Sequence, residues 1–377
     1  MQRTGGRARI LIVDDEPGML RAAERILADE HEVVTAGLPS RALTMAAERP
    51  PDLVVCDIRM PEMDGFELVS ALRRACPDLD VIFMTGSHTD PDEHLVRAIR
   101  GQAFYFIQKP FDRRVLAALV SRCLELRALR QAERAHTRRL EQELAEARVF
   151  QRAMLGPSEA RLGPVRVEAR CDACSELGGD LYDAALTHDG RVAFVVADVR
   201  GHGASAALLT AVVKSAFHAS AGEGFDPRRV ADRLAESVGP FGDDRFVTAF
   251  IGRLDAGAGV LEYVGAGHPP ALLWGAEEPA RPIESADPIL SSAFPRGSWA
   301  VHRTTLPRGF RLLVYTDGLP EAVGERQGDS AFLAGAVREA PEGGAALIEA
   351  LRRRVAAALG GRPQSDDITV LTLSAEE

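Results

Sequence analysis

Apolar positions follow two different patterns along this chain, one in each half. In the N-terminal half, short apolar runs such as Ile10-Leu11-Ile12-Val13 end at polar residues, and the segments 19–27 and 39–47 between such runs have helical spacing. Continuous apolar runs of this length predict strands that are buried on both faces. Strands that alternate with helices predict a doubly wound α/β domain with a five-stranded parallel sheet of order 2-1-3-4-5.

The C-terminal half, from Val165 onward, predicts strands separated by Gly-rich turns, with a few helices inserted. The predicted strands are 165–169, 191–199, 246–254, 260–264, 311–316 and 368–373, and the predicted helices are 204–219, 227–238 and 345–359. Hairpins interleaved with long helices indicate an α+β fold in which an antiparallel β-sandwich is flanked by helices.

The connector between the halves, residues 121–155, contains neither Gly nor Pro, which favours a helix throughout. Its apolar residues at 3-4 spacing form a seam that Arg130, Glu133 and Thr137 interrupt. This pattern is compatible with an imperfect parallel coiled coil and with a single helix packed on one domain. We expect the coiled coil, and hence a homodimer, and we divide the chain into domains at 8–120, 121–155 and 156–377.

Composition restricts the class of protein. The 377 residues exceed the usual size of one compact core, so more than one domain is expected. Acidic residues number 55 against 45 basic ones, and the formal net charge of -10 argues against a nucleic-acid-binding surface. Five Cys, no secretion signal and no apolar run of membrane-spanning length predict a cytoplasmic protein without membrane association.

Polar residues at the ends of the first-half strands form the first candidate site. Asp14 and Asp15 follow the first strand, Asp57 ends the third, and Thr85 and Lys109 follow the fourth and fifth. In a sheet of this order the first and third strands are neighbours, so their carboxyl ends bring the three acids together. Three carboxylates repel one another unless a cation joins them, and Mg²⁺ suits a site made of oxygen atoms. A hydroxyl and an ammonium beside them complete a site for a phosphoryl group on Asp57.

These residues lie in a series of motifs that resembles the response-regulator receiver domain. The motifs are Asp14-Asp15, Asp57-Ile58-Arg59-Met60-Pro61, Met63-Asp64-Gly65, Thr85-Gly86 and Lys109-Pro110-Phe111. The resemblance implies that Asp57 is the phosphoacceptor for a sensor histidine kinase. It also implies an Mg²⁺ site whose ligands are Asp14, Asp15, Asp57 and the Arg59 carbonyl.

Three further residues take their roles from this resemblance. It implies that Lys109 and Thr85 contact the phosphoryl group and that Phe106 is the aromatic switch residue. On physical grounds alone, an Asp at a strand end is a common turn former, and an aromatic residue in an apolar strand such as Phe106 is also compatible with a plain core role.

Acidic residues in the second half again stand at strand ends or in adjoining turns. They are Asp180, Asp198, Asp317 and the pair Asp366-Asp367, and none has an obvious Lys partner in the sequence. An unpaired carboxylate at the end of an apolar strand is costly unless it reaches water or a metal ion. Carboxylates without His or Cys ligands nearby in sequence indicate hard divalent ions such as Mg²⁺ or Mn²⁺. A pair of such ions is a common catalytic arrangement in enzymes that hydrolyse phosphoesters.

The motifs around these acids resemble the metal-dependent (PPM, phosphatase 2C-like) serine/threonine phosphatases, in their sporulation and stress-response branch. The motifs are Gly178-Gly179-Asp180-Leu181-Tyr182-Asp183, Asp198-Val199-Arg200-Gly201-His202-Gly203, Phe246-Val247-Thr248-Ala249, Gly265-Ala266-Gly267-His268-Pro269-Pro270, Tyr315-Thr316-Asp317-Gly318 and Asp366-Asp367-Ile368-Thr369-Val370. The resemblance implies a catalytic site with two Mn²⁺ or Mg²⁺ ions, held by Asp180, Asp198, the Val199 carbonyl, Asp317 and Asp366, with Asp367 as a further ligand. It implies a phosphorylated anti-sigma-factor antagonist as the substrate.

Three residues depart from the common pattern of that family, namely Leu181, Arg200 and Gly265. None of them removes a carboxylate, but Arg200 either clashes with the metal turn or supplies a phosphate contact. His202 and His268 are candidates for donating a proton to the leaving oxygen, although histidines flanked by Gly more often shape turns.

A lone C-x-x-C, Cys171 and Cys174, lacks the second pair that a structural zinc site requires, so we assign both to ordinary packing rather than to metal or redox chemistry.

These predictions combine into a two-component output protein. Phosphorylation of Asp57 controls a metal-dependent phosphoserine/phosphothreonine protein phosphatase through the helical connector. One alternative is a phosphorylation-controlled binding or scaffold module with weak or no phosphatase activity, and another is a hydrolase of small phosphoesters that uses the same ions.

Overall fold

The computed structural model describes residues 7–86, 105–201, 203–222, 224–242, 245–324 and 331–375. The chain forms two compact units, and the boundary between them along the sequence lies between Leu140 and Glu141. None of the helices in the described ranges has the length and apolarity that crossing a bilayer requires.

The first unit is a parallel five-stranded sheet of order β2-β1-β3-β4-β5, as predicted. Its strands are β1 (Arg9–Val13), β2 (Glu32–Ala36), β3 (Leu53–Asp57), β4 (Asp80–Thr85) and β5 (Tyr105–Gln108), and its helices are α1 (Pro17–Leu27), α2 (Pro39–Glu48), α3 (Gly65–Ala75) and the first part of α4 (Arg113–Met154). Successive side chains of a strand point to opposite faces. Ile10 and Ile12 therefore pack in one core layer and Leu11 and Val13 in the other, which explains why β1 is apolar throughout.

Helix α4 begins as part of the core of the first unit. Leu116 and Val120 are fully buried on the sheet, with Cys123 beside them. Farther along the helix, Arg127 and Arg130 reach the buried carboxylate of Asp80, with N–O distances of 3.4 and 2.8 Å. Removing the arginines would leave a buried carboxylate without a partner, which costs free energy of folding. These ion pairs therefore hold this part of α4 against the N-terminal end of β4.

Beyond these contacts α4 exposes part of the apolar seam. Leu140 is 46% exposed and Leu144 is 40% exposed. The helix that the connector predicts is present over its whole length, and the coiled-coil homodimer stays a prediction.

The second unit contains two antiparallel sheets, with strand orders β14-β11-β10-β9-β8 and β13-β12-β15-β16-β7-β6. The strands are β6 (Glu159–Leu162), β7 (Val165–Asp172), β8 (Asp180–Leu186), β9 (Val192–Val199), β10 (Val247–Asp255), β11 (Val260–Ala266), β12 (Ala271–Trp274), β13 (Arg281–Ile283), β14 (His302–Thr305), β15 (Arg311–Tyr315) and β16 (Ile368–Ala375). The helices are α5 (Ala204–Gly222), α6 (Pro227–Val238), α7 (Gly318–Ala322), α8 (Ala331–Glu339) and α9 (Gly344–Leu359).

Three apolar layers hold the second unit together. The middle layer lies between the sheets, where Phe194 and Phe250 of one sheet pack with Leu312 and Leu371 of the other. Helices α5 and α6 cover the outer face of the first sheet, and α7, α8 and α9 cover the second. The predicted antiparallel sandwich flanked by helices is therefore confirmed, although the pattern missed β6, β8, β12, β13 and β14.

Candidate functional site

The first site lies at the carboxyl ends of β1 and β3. Asp14 follows β1 and is fully buried, Asp57 ends β3 and is buried, and Asp15 is exposed. One carboxylate oxygen of each lies within 4.8 Å of the other two. An all-oxygen set at this spacing fits Mg²⁺. The structure thus brings together the three acids that were predicted to converge.

Lys109, which follows β5, partly neutralises these acids. Its Nζ lies 2.6 Å from Asp14 Oδ2 and 3.1 Å from Asp57 Oδ1. Burial raises the pKa of Asp57 above its ordinary value, although Lys109 opposes that shift. Burial by itself lowers the pKa of Lys109, but its bonds to Asp14 and Asp57 raise it on balance, so the ammonium persists. A cation in this place is positioned to contact a phosphoryl group on Asp57.

The remaining predicted residues of this site occupy the same edge of the sheet or the loop beside it. Thr85 ends β4, and its carbonyl accepts a 2.7 Å hydrogen bond from the backbone N–H of Lys109. Phe106 in β5 is half-buried and stacks on Phe83, with 5.7 Å between ring centroids. Arg59 is an exposed residue of the loop after β3. The roles of Thr85, Phe106 and the Arg59 carbonyl stay predictions.

The second site is built from the ends of two neighbouring strands and two turns. Asp180 begins β8 and faces Asp198 across the β8–β9 register. Asp317 follows β15 and begins helix α7, and Asp366 lies in the turn before β16. The two sheets therefore contribute acids to one region of the second unit.

Burial and, after it, like charges raise the pKa values of the acids in this region. Burial, and then repulsion from Asp198, raises the pKa of Asp180 well above its usual range. Burial, and then repulsion from Asp317 and Asp366, raises the pKa of Asp198 to about 7. The pKa of Glu321 in α7 is also raised, by burial and then by Asp317 and Asp366, which adds a carboxylate that the motif search missed. Divalent cations relieve such repulsion.

The second set of acids is more widely spaced than the first. Across the described ranges, three His, Cys, Asp or Glu ligand atoms within 4.8 Å of one another occur only in the first site. Asp180 lies beside Asp198, and Asp317 and Asp366 are near enough to shift the pKa of Asp198. The assignment of these four residues as metal ligands stays a prediction.

Asp367, predicted as a further ligand, is buried and holds a loop. Its Oδ1 accepts a hydrogen bond from the Cys174 backbone N–H at 2.8 Å, and its Oδ2 accepts one from Gly179 at 2.6 Å. This geometry favours a positioning role for Asp367 over direct ligation.

Two threonines that sequence reasoning did not single out orient Asp180. The Thr316 hydroxyl donates to Asp180 Oδ2 at 2.8 Å and accepts a hydrogen bond from the Thr369 backbone N–H at 2.9 Å. Thr316 is fully buried, so its hydroxyl has a fixed partner. Thr316 and Thr369 each lie in one of the motifs quoted above, and this location was the signal in the sequence that could have identified them.

Glycine is required at two adjacent positions of the turn before β8. A Cβ on Gly179 would lie 2.6 Å from the carbonyl oxygen of Val199 and 3.0 Å from that of Gly201. A Cβ on Gly178 would lie 2.7 Å from Asp367 Oδ2. The turn therefore packs directly against the carbonyl that the motif predicts as a metal ligand.

The end of helix α4 contacts this same turn. Gln151 Nε2 donates to the Gly178 carbonyl at 2.6 Å, and Gln151 Oε1 accepts from the Gly178 N–H at 3.1 Å. Arg148, one turn earlier, pairs with Glu176 at 3.0 Å. A single side chain thus satisfies both backbone groups of a residue two positions before Asp180. No sequence pattern indicated this contact.

His268 is a core residue, and Cys171 and Cys174 are partly exposed thiols with raised pKa values. His268 is buried, its Nδ1 lies 3.1 Å from Thr248 Oγ1, and burial lowers its pKa to about 3. The imidazole is therefore neutral near pH 7, which argues against a role as proton donor. His202 lies outside the described residues.

Burial raises the pKa of Cys171 to about 12 and that of Cys174 to about 11, which disfavours the thiolate that metal binding needs.

The three departures from the family pattern fit their surroundings. Leu181 is buried in the core between the first sheet and its helices. The Arg200 guanidinium lies 5.0 Å from the centroid of the Phe246 ring. A side chain on Gly265 would collide with Ser285. Each is compatible with an intact turn, and a phosphate contact by Arg200 stays a prediction.

Comparison with known proteins matches both halves. Residues 188–376 match the family described as stage II sporulation protein E (SpoIIE), and residues 10–121 match the response regulator receiver domain. Phosphoserine phosphatase RsbP of Bacillus subtilis (strain 168) is 31% identical over 162 residues, which are 41% of this chain and 40% of RsbP. Transcriptional regulatory protein GlrR of Escherichia coli (strain K12) is 34% identical over 119 residues, which are 31% of this chain and 26% of GlrR.

A solved structure supports the fold of the second unit. The SiaA-PP2C domain of Pseudomonas aeruginosa superposes with a TM-score of 0.54 at 24% identity, over 64% of this chain and 99% of that domain. The chain spans only about a quarter of GlrR and two fifths of RsbP. The SpoIIE match takes in half of the chain, including Asp198, Asp317 and Asp366. This protein therefore belongs to the stage II sporulation protein E (SpoIIE) family and carries a response regulator receiver domain ahead of the SpoIIE region.

Proposed function

We propose that phosphorylation of Asp57 controls a metal-dependent phosphoserine/phosphothreonine protein phosphatase within the same chain. The receiver occupies 8–120, the connector 121–155 and the phosphatase domain 156–377. The observation that carries the proposal is the facing pair Asp180 and Asp198, two carboxylates whose pKa values are raised first by burial and then by neighbouring like charges, which cations relieve.

The donor set of the second site suits hard divalent ions, because the four predicted aspartates and the Val199 carbonyl offer only oxygen atoms. Bound Mn²⁺ or Mg²⁺ supplies the Lewis acidity that water needs to attack a phosphoester. The chain itself supplies position: Thr316 orients the Asp180 carboxylate, and Asp367 holds the turn that ends at Gly179.

In the receiver, Asp57 accepts the phosphoryl group from a sensor histidine kinase. Asp14 and Asp15 hold Mg²⁺ beside it, and the Lys109 ammonium offsets the added negative charge. The receiver-domain match supports the kinase partner.

The route from the receiver to the phosphatase is helix α4, which is continuous from Arg113 to Met154. Its start is packed in the receiver core, and its last turns bond to Gly178, two residues before Asp180. Two packings of this helix that differ by a few kcal/mol are enough to shift the population of a competent metal site.

The substrate we propose is a phosphorylated anti-sigma-factor antagonist in a partner-switching pathway. RsbP is named a phosphoserine phosphatase, which supports a phosphoprotein substrate for this chain.

We also propose a cytoplasmic homodimer that forms through the exposed seam of α4, because Leu140 and Leu144 have the spacing of a coiled-coil interface.

A phosphatase assay with the full chain tests the proposal. We expect Mn²⁺-dependent release of phosphate from a phosphoserine protein, at a rate that changes when beryllofluoride occupies Asp57. The Asp57→Ala variant is the matched control, because it should keep the metal-dependent rate and lose the response. Equal activity on a free phosphate ester and on the phosphoprotein would instead identify a small-phosphoester hydrolase.

One observation favours the alternative of a binding or scaffold module. The predicted ligands of the second site are more widely spaced than those of the receiver across the described residues. Titration with Mn²⁺ separates the two functions, since a phosphatase should bind two ions in the second unit, in addition to the receiver ion, and a scaffold should bind none in the second unit.

The Gln151–Gly178 contact predicts a variant that separates control from catalysis. Replacing Gln151 with Ala removes two hydrogen bonds, each worth about 0.5–1.5 kcal/mol. We expect the ratio of kcat/KM with and without beryllofluoride to move about tenfold towards one. Gln142→Ala is the control on the same helix, because Gln142 bonds only to the exposed Glu146. A Gln151→Ala variant with an unchanged ratio would contradict the proposed route.

A further inference from the structure

Three polar side chains form a row across strands β8, β9 and β10, at the acidic end of the first sheet. Asp180 lies opposite Asp198, and Asp198 lies opposite Thr248 in the antiparallel registers. Residues directly opposite each other in such strands point to the same face, with Cβ atoms about 4.5–5.5 Å apart. Phe250, two residues after Thr248, packs between the two sheets, so the row also points between them. The Thr248 hydroxyl is therefore a close neighbour of the predicted metal ligand Asp198.

His268 is the hydrogen-bond partner of this threonine. Its Nδ1 lies 3.1 Å from Thr248 Oγ1, and across the described ranges the hydroxyl has no second partner. His268 is buried in the turn that leads from β11 of the first sheet to β12 of the second. The Gly267 N–H donates to the Asp287 carbonyl at 3.1 Å, and a Cβ on Gly267 would lie 2.5 Å from Ile289 Cγ2. This close packing fixes the turn and holds the imidazole beside Thr248.

The protonation of His268 determines the direction of the Thr248 hydroxyl. Burial lowers the pKa of His268 to about 3, against a smaller opposing effect of the Tyr315 backbone, so the imidazole is neutral near pH 7. A backbone group that raises a histidine pKa is a carbonyl that faces a ring N–H. Because Nδ1 faces Thr248, we place the N–H on Nε2, which forms no hydrogen bond of normal geometry with a described residue. Nδ1 is then an acceptor, and the Thr248 hydroxyl donates to it.

We propose that His268 is a positioning residue of the phosphatase site, which accepts the hydroxyl hydrogen of Thr248 and so leaves Thr248 Oγ1 to accept a hydrogen bond from a water bound beside Asp198. A hydroxyl has one hydrogen and two lone pairs, so a threonine that donates to His268 can only accept on its other side. His268 acts through Thr248 and transfers no proton. The inference rests on the proposed function, because it requires a cation with bound water at Asp198.

Two substitutions that keep the approximate side-chain volume test the inference. His268→Leu removes the acceptor, and Thr248→Val removes the hydroxyl. We expect each to weaken Mn²⁺ binding in the second unit about tenfold, at the lower end of the range for losing a group that positions metal ligands. Each should lower kcat and leave KM for a phosphoprotein unchanged. Calorimetric titration of the full chain gives the affinity, and the receiver ion is common to all of the chains compared.

Conservative variants and a double variant separate this route from a loss of packing. His268→Asn keeps an acceptor and Thr248→Ser keeps a hydroxyl, so both should retain most of the Mn²⁺ affinity. A chain with both His268→Leu and Thr248→Val should bind Mn²⁺ no more weakly than either single variant, whereas independent effects would multiply to about a hundredfold. Melting curves in chelator show which variants fold. If His268→Leu does not fold, the comparison of Thr248→Val with Thr248→Ser remains decisive.

The role of His268 is overturned if Thr248→Val binds Mn²⁺ as tightly as the parent chain, if His268→Asn is as weak as a folded His268→Leu, or if the two losses multiply. The parent chain tests the proposed function separately. A parent that neither binds Mn²⁺ in the second unit nor hydrolyses a phosphoprotein would overturn that function and this inference with it. An active parent whose variants are unaffected would overturn the role of His268 alone.

Discussion

Replacing Asp180 with Asn is expected to lower the metal-dependent kcat/KM by about a thousandfold. The substitution keeps the shape of the side chain but removes a charge from a buried set of acids. With the ions bound, the substitution would take one anionic partner from buried positive charge, a loss that costs about 3–5 kcal/mol, and about 1.4 kcal/mol corresponds to a factor of ten in rate. Steady-state kinetics at saturating Mn²⁺ measure the loss.

The same variant should be more stable than the parent chain when ions are chelated. Burial and Asp198 raise the pKa of Asp180, so the folded state binds that proton more tightly than the unfolded state does. Stability from this group is therefore lost as the pH rises, and the ionised carboxylate destabilises the ion-free fold near neutral pH. Asn removes that penalty, and we expect a higher melting temperature in chelator.

Asp189→Asn is the matched control, because Asp189 is an exposed acid that pairs with Arg191 away from the site. It should change neither the activity nor the melting temperature in chelator appreciably. Full activity in Asp180→Asn, or a lower melting temperature in chelator, would show that Asp180 is not part of a cation-binding set.

Replacing Gly179 with Ala is expected to weaken Mn²⁺ binding and activity by about 10–100-fold, the range for losing a group that positions metal ligands. The added Cβ would lie 2.6 Å from the Val199 carbonyl oxygen, a distance that the backbone has to relieve by moving. The carbonyl is the predicted ligand, so the movement acts directly on the metal site. Mn²⁺ titration calorimetry gives the affinity.

Gly222→Ala provides the comparison, because a Cβ at Gly222 meets nothing within 4 Å. Its Mn²⁺ affinity should equal that of the parent chain. An unchanged affinity in Gly179→Ala would mean that Val199 does not ligate through its carbonyl or that the turn relaxes without cost.

The receiver site was predictable from the sequence because of how a parallel sheet is built. The apolar runs that end at Asp14 and Asp57 are neighbouring strands that run in the same direction, so both carboxylates reach one edge. The order of strands and the convergence of the three acids are therefore confirmed.

In the second half, strands run in opposite directions, and an acid at a strand end can lie at either edge of a sheet. The sequence therefore indicated the acids through motifs rather than through spacing. It also missed β8, because Asp180 and Asp183 interrupt the apolar pattern of a strand whose first residues are all buried. Asp183 tolerates burial because Lys214 and His218 each lie 2.8 Å from its Oδ2.

The sequence by itself determined the two folds, the helical connector and the residue types available for phosphoryl transfer and hydrolysis. Those features follow from local apolar patterns and short motifs. Only the tertiary structure decided that Gln151 bonds to Gly178, that Thr316 orients Asp180 and that Asp367 holds a turn. These contacts join residues 27, 136 and 188 positions apart, and side chains that far apart in sequence meet only when the chain has folded.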